Sequence, residues 1–77
     1  MSEDYRGYRI EVYLIEERIK PSKKGVGPWL PRAKVSWQEK GKWRTELLTQ
    51  DHSYQFRERA EKAAFKIAKQ WIDDREA

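Results

Sequence analysis

His52 is the only histidine of the chain and stands between Asp51 and Ser53, the residue types of a nucleophilic triad. A triad is assembled in space, with a base in reach of a nucleophile and a carboxylate behind it. Three neighbours in one polar connection do not converge in that way, and these residues fit an exposed connection with helix caps instead. A single histidine permits no His–His metal pair, and the absence of cysteine permits no thiolate zinc site and no disulfide. Glu16-Glu17 and Asp73-Asp74 are carboxylate pairs, but sequence neighbours point apart, and general acid work requires burial that raises a pKa. Gly25-x-Gly27 lacks the preceding strand and the third glycine of a dinucleotide fingerprint. The chain reads as non-enzymatic: no catalytic residue, metal, cofactor or small-molecule substrate is expected.

Charge is the stronger chemical signal. The net charge is +4, with charged residues at 39%, and the excess is local. Residues 1–17 hold five acids and two bases, and residues 39–77 hold nine bases and eight acids. Between them, residues 18–38 hold Arg18, Lys20, Lys23, Lys24, Arg32 and Lys34 and no acid. Lysines in that segment can follow a phosphate backbone and release counterions.

The elements that must position these residues follow from periodicity. Tyr8, Ile10, Val12 and Leu14 alternate with Arg9, Glu11 and Tyr13, which predicts a strand from Tyr5 to Ile15. Two prolines and two glycines between Lys20 and Pro28 predict a flexible basic loop over about 20–28. A second strand is expected from about Arg32 to Gln38, with Ala33, Val35 and Trp37 on one face. Glu39-Lys40-Gly41-Lys42 reads as a tight hairpin turn. A third strand runs from Trp43 to Thr49, where Trp43, Thr45 and Leu47 share a face and Leu48 breaks the alternation. Gln50 to Gln55 is a connection whose candidate caps include Asp51 and Ser53. From there to Asp74, apolar residues at 56, 60, 63, 64, 67, 68, 71 and 72 mark one face of a helix. The expectation is a single small α+β domain over 1–77: a three-stranded antiparallel sheet with a C-terminal helix on one face. The stripe through Ala60, Ala64, Ile67 and Trp71 predicts that Trp71 is largely buried near Ile10, Val12 and Val35. Asp73 and Asp74 oppose the helix macrodipole; Lys69, four residues before Asp73, or a basic side chain on the sheet are the candidates to offset this.

With 77 residues the core is small, and four tryptophans supply buried area that disulfides do not. No apolar run follows Met1, and no stretch approaches the roughly 20 apolar residues of a membrane span. A cytoplasmic protein that meets no membrane is expected.

Tyr5-Arg6-Gly7-Tyr8-Arg9-Ile10, Ala33-Lys34-Val35-Ser36-Trp37 and Ala68-Lys69-x-Trp71-Ile72-Asp73 resemble a group of short bacterial β-β-β-α proteins of unassigned function. The likeness implies that fold and no activity. Tyr5-Arg6-Gly7, Gly41-Lys42-Trp43-Arg44 and the Ala-rich helix are also similar to AP2-type and phage-integrase arm DNA-binding domains, which read the major groove with sheet residues. That likeness implies such a role for Arg32, Lys34, Trp43 and Arg44; the Trp-Leu-Gly element of AP2 domains is missing.

Two partner classes follow. Lys20, Lys23, Lys24, Arg32, Lys34 and Arg44 form a candidate nucleic-acid site, for DNA or RNA, on the basic loop and the uncovered sheet face. The alternative is a protein-interaction module that pairs through a sheet edge or the open face, with another protein or with itself. Exposure of Tyr13, Ile15 and Trp29 together would favour the second.

Overall fold

Two tight turns of the same chemistry organise the sheet. Arg6 and Gly7 have φ of 51° and 85°, and Lys40 and Gly41 have φ of 51° and 78°. Positive φ at both central residues marks the hairpin turn whose twist matches its strands, and glycine at the second position meets that demand without strain. The computed structural model describes residues 2–16 and 27–77. Each turn joins two antiparallel strands: β1 (Ser2–Tyr5) to β2 (Tyr8–Glu16), and β3 (Trp29–Glu39) to β4 (Lys42–Thr49). β2 also pairs with β3, so the order is β1-β2-β3-β4, followed by the helix α1 (Arg57–Glu76).

The fold is α+β, with an antiparallel sheet and one C-terminal helix, as the periodicity predicts. The strand count is not. The sheet has four strands rather than three, because the chain turns at Arg6-Gly7, just inside the expected first strand, and Ser2–Tyr5 ahead of that turn pairs back as β1. The expected loop over 20–28 lies almost wholly outside the described residues.

The helix rests on β2 and β3 and touches β4 far less. Its buried stripe is Ala60, Ala64, Ala68 and Ile72, four residues apart, against Tyr8, Ile10 and Val12 of β2 and Ala33 and Val35 of β3. Three alanines in that stripe let the helix axis approach the sheet closely. Ile72, not Trp71, is the residue fully enclosed. Trp71 is half-buried at the core margin, in an aromatic cluster with Tyr8 and Trp37 at centroid distances of 6.3 and 5.5 Å.

Neither expected cap holds the helix start. Phe56, in extended conformation, stands at the N-cap position without a side-chain cap bond. Ser53 is fully buried and its hydroxyl has no partner among the described residues. The connection is held by backbone: Trp29 N–H donates to Tyr54 O at 3.1 Å and Tyr54 N–H to Trp29 O at 2.8 Å. Gly27 lies so close to the backbone of Tyr54 and Gln55 that a Cβ there would collide with Gln55 Cα.

Candidate binding surface on β4 and the open sheet face

Register decides which side chains meet. Opposed residues share a face in an antiparallel pair, so Ile10, Val35 and Glu46 lie on one rung facing the helix. Ser2, Glu11, Lys34 and Leu47 form a rung on the open face, and Asp4, Arg9, Ser36 and Thr45 form the next. Tyr13, Arg32 and Thr49 make a third.

This register separates the expected basic site. Arg32 and Lys34 are on the open face, whereas Arg44 opposes Trp37 and therefore lies on the helix side. The chain alternates, and Arg44 cannot share a face with Trp43. Arg32 is partly engaged: its guanidinium donates to Pro31 O at 3.0 Å and to Gln50 O at 3.4 Å, tying the strand to the following connection. Lys34 stands opposite Glu11. Lys20, Lys23 and Lys24 lie outside the described residues. Toward β1 the open face turns acidic. A shallow depression of about 490 Å³ there is lined by Asp4 and Glu11 and, from the helix side of the β1 edge, by Glu3, with Arg9 the one base among its lining residues and paired to Asp4 at 3.7 Å.

The open face carries apolar side chains as well. Tyr13 and Ile15 are 46% and 42% exposed, and Trp43 and Leu47 of β4 are 61% and 60% exposed. Trp29 does not join them. It is half-buried on the other face, opposite Glu16, with the Arg57 guanidinium 5.7 Å from its ring. Trp43 and Leu47 thus sit on one face of the last strand of the sheet.

The outer edge of that strand is unpaired among the described residues. In the turn, Lys42 N–H faces Glu39 C=O, which makes Glu39↔Lys42 a hydrogen-bonded pair. Such pairs alternate with non-bonded ones, so Arg44 and Glu46 bond inward to β3. The amides and carbonyls of Trp43, Thr45 and Leu47 therefore point outward. The opposite edge, β1, is half the length at four residues, carries Glu3 and Asp4, and is bolted down. Glu3 pairs with Lys69 at 3.2 Å and Tyr5 bonds Asp73.

The helix end that supports this arrangement is a polar lattice. Tyr5 OH donates to both Asp73 oxygens and Arg6 donates to Oδ1 at 3.0 Å. Those donors, Arg6 first and then Tyr5, hold the Asp73 carboxyl below the usual carboxylate range. The same bond, with burial and the carboxylate charge behind it, pushes the Tyr5 phenol up. Of the two candidates for Asp73, the basic side chain on the sheet is the one found; Lys69 is turned to Glu3. Beside it Arg75 lies 4.6 Å from the Trp37 ring, donates to Tyr8 OH at 3.2 Å and pairs with Glu39 at 3.4 Å.

His52 is exposed and meets the Tyr54 ring edge-on at 4.8 Å, while Ser53 is buried. Among the described residues no cluster of three or more His, Asp or Glu could hold a metal ion, and no helix is long and apolar enough to cross a membrane. No family model, curated protein or solved structure matches the chain.

Proposed function

We propose that this protein is a non-enzymatic binding module that takes an extended segment of a protein partner along β4 and the adjoining open face. The observation that carries the reading is the pairing of two properties on one strand. β4 has an outer edge eight residues long that is unpaired among the described residues, and its Trp43 and Leu47 are about three-fifths exposed beside that edge. Backbone bonds along such an edge supply affinity, and alternate side chains supply selectivity. Natural edges are normally shortened, covered or charged; here the charges Lys42, Arg44 and Glu46 lie on the helix side, and the open side carries Trp43 and Leu47 with Thr45 and Thr49. Exposure of Tyr13 and Ile15 on the same face extends the surface toward β2.

The test is a random-peptide display selection on the immobilised full chain, repeated with Thr45→Pro. Proline at 45 removes only an outward N–H and is tolerated on an edge strand. Binders lost on Thr45→Pro support the reading; binders indifferent to it, or none, overturn it.

A second reading has an observation of its own. Tyr13 opposes Arg32 on the open face, with Lys34 one rung away, which gives a ring for stacking beside two cations. With Lys20, Lys23 and Lys24 these residues would bind DNA or RNA, the lysines acting on phosphates. A salt-dependent titration against duplex DNA, single-stranded DNA and RNA tests it. Lys23→Ala with Lys24→Ala should flatten the salt dependence by roughly two contacts. No binding at low salt would remove this reading.

A further inference from the structure

We infer that the segment received by β4 is the β4 strand of a second copy, paired antiparallel about Thr45 to form one continuous eight-stranded sheet. The inference rests on the edge-pairing reading above and names its occupant. The reason lies in the order Lys42-Trp43-Arg44-Thr45-Glu46-Leu47-Leu48, which is complementary to itself when reversed about Thr45. In that register Arg44 of each copy faces Glu46 of the other on the helix side, and Trp43 of each faces Leu47 of the other on the open side. The central pairs of both rows match at once, and at the ends of the helix-side row Lys42 of each copy faces Leu48 of the other.

The neighbouring registers do not. Backbone direction requires outward-pointing residues to meet outward-pointing residues, so the centre moves by whole residues. A centre at Arg44 sets two arginines side by side, and a centre at Glu46 sets two glutamates side by side. A centre at Trp43 faces Lys42 with Arg44, and a centre at Leu47 leaves Glu46 against Leu48. Like charges directly opposite are destabilising and opposite charges or apolar pairs are favourable. Among these centres only Thr45 sets opposite charges together on one face and apolar side chains together on the other, and its outward N–H and C=O place a bonded pair on the twofold axis.

Space permits it. The twofold axis is perpendicular to the sheet, so both helices lie on one face. With strands roughly 4.8 Å apart, helices centred between β2 and β3 are roughly 19 Å apart, more than a helix diameter of roughly 10–12 Å. The two β4 strands separate them, and Arg44, Glu46 and Leu48 floor the gap. The helix rests on β2 and β3 and leaves β4 largely clear.

Sedimentation equilibrium of the full chain, at concentrations from roughly 1 μM to roughly 1 mM, tests it. A shift from 9.3 kDa toward twice that mass is expected. Arg44→Glu and Glu46→Arg alone should each weaken association at least roughly tenfold, since each turns two opposite-charge pairs into like pairs. Combined, they exchange the partners and should restore it to within roughly threefold of the parent. Circular dichroism checks that each variant is folded. A chain monomeric throughout, or single reversals without effect, or a double reversal without rescue, overturns the Thr45-centred dimer. The edge-pairing reading fails separately, when the peptide selection above yields no binder sensitive to Thr45→Pro.

Discussion

Tyr5 and Asp73 stand 68 residues apart in the chain, and the Tyr5 hydroxyl donates to both oxygens of the Asp73 carboxylate, at 2.8 and 3.1 Å. The bond joins the last residue of β1 to the last turn of the helix. Arg6 in the adjoining turn donates to the same carboxylate. An acid that opposes the helix macrodipole is thereby converted into an anchor for the first hairpin.

That anchor predicts a pH dependence. Asp73 has a lowered folded pKa, so its contribution is present above the ordinary aspartate value of about 3.9 and is lost as pH falls through the folded value. Asp73→Asn should melt below the parent at neutral pH, and the gap should close under acid conditions. Tyr5→Phe should reproduce part of the loss. Urea melts from neutral pH into the acid range check this; a gap that does not change with pH would mean that the ionised pair contributes nothing.

The helix phase is open to a comparison of three neighbours. Ile72 is fully buried, while Ile67 and Trp71, one turn apart on the same flank of its stripe, are half-buried. Ile72→Ala should cost about 2–5 kcal/mol. Ile67→Ala should cost clearly less than Ile72→Ala in the same chemical melts. Equal losses would favour the other stripe, through residues 67 and 71.

Gly27 predicts a backbone effect. A methyl group there meets the main chain of Gln55, which is not a movable side-chain tip, so the bridge between Trp29 and Tyr54 must shift. Gly27→Ala should destabilise by about 1–3 kcal/mol and accelerate amide exchange at Tyr54. A variant as stable as the parent, with Tyr54 equally protected, would contradict the packing.

The two hairpins show what was legible in the sequence. Glu39-Lys40-Gly41-Lys42 announces its turn because clear strands flank it on both sides. Tyr5-Arg6-Gly7-Tyr8 carries the same chemistry, but Ser2, Glu3 and Asp4 before it have little strand propensity. Their place comes from tertiary contacts, Glu3 to Lys69 and Tyr5 to Asp73, which no local pattern announces. An open sheet edge is legible from the strands alone, but with β1 unseen nothing tells that the helix leaves β4 as that edge. The helix stripe was ambiguous for a related reason. Ile67-Ala68 and Trp71-Ile72 are adjacent apolar pairs, so two phases fit one periodicity, and only the sheet's shape selects Ala68 and Ile72. The basic residues were legible as charges, but the face of Arg44 depends on the β3–β4 register.

The proposed pairing requires that β4 present a free edge that closes when two copies meet. Residue-resolved amide exchange at roughly 10 μM and roughly 1 mM protein tests it most directly. A two-residue alternation is expected in dilute solution, with Trp43, Thr45 and Leu47 exchanging fast and Arg44 and Glu46 protected. In the concentrated sample the fast set should become protected while Arg44 and Glu46 change little. Protection of Trp43, Thr45 and Leu47 already in dilute monomer, or rates unmoved by concentration, would contradict a free edge that pairs with its own copy.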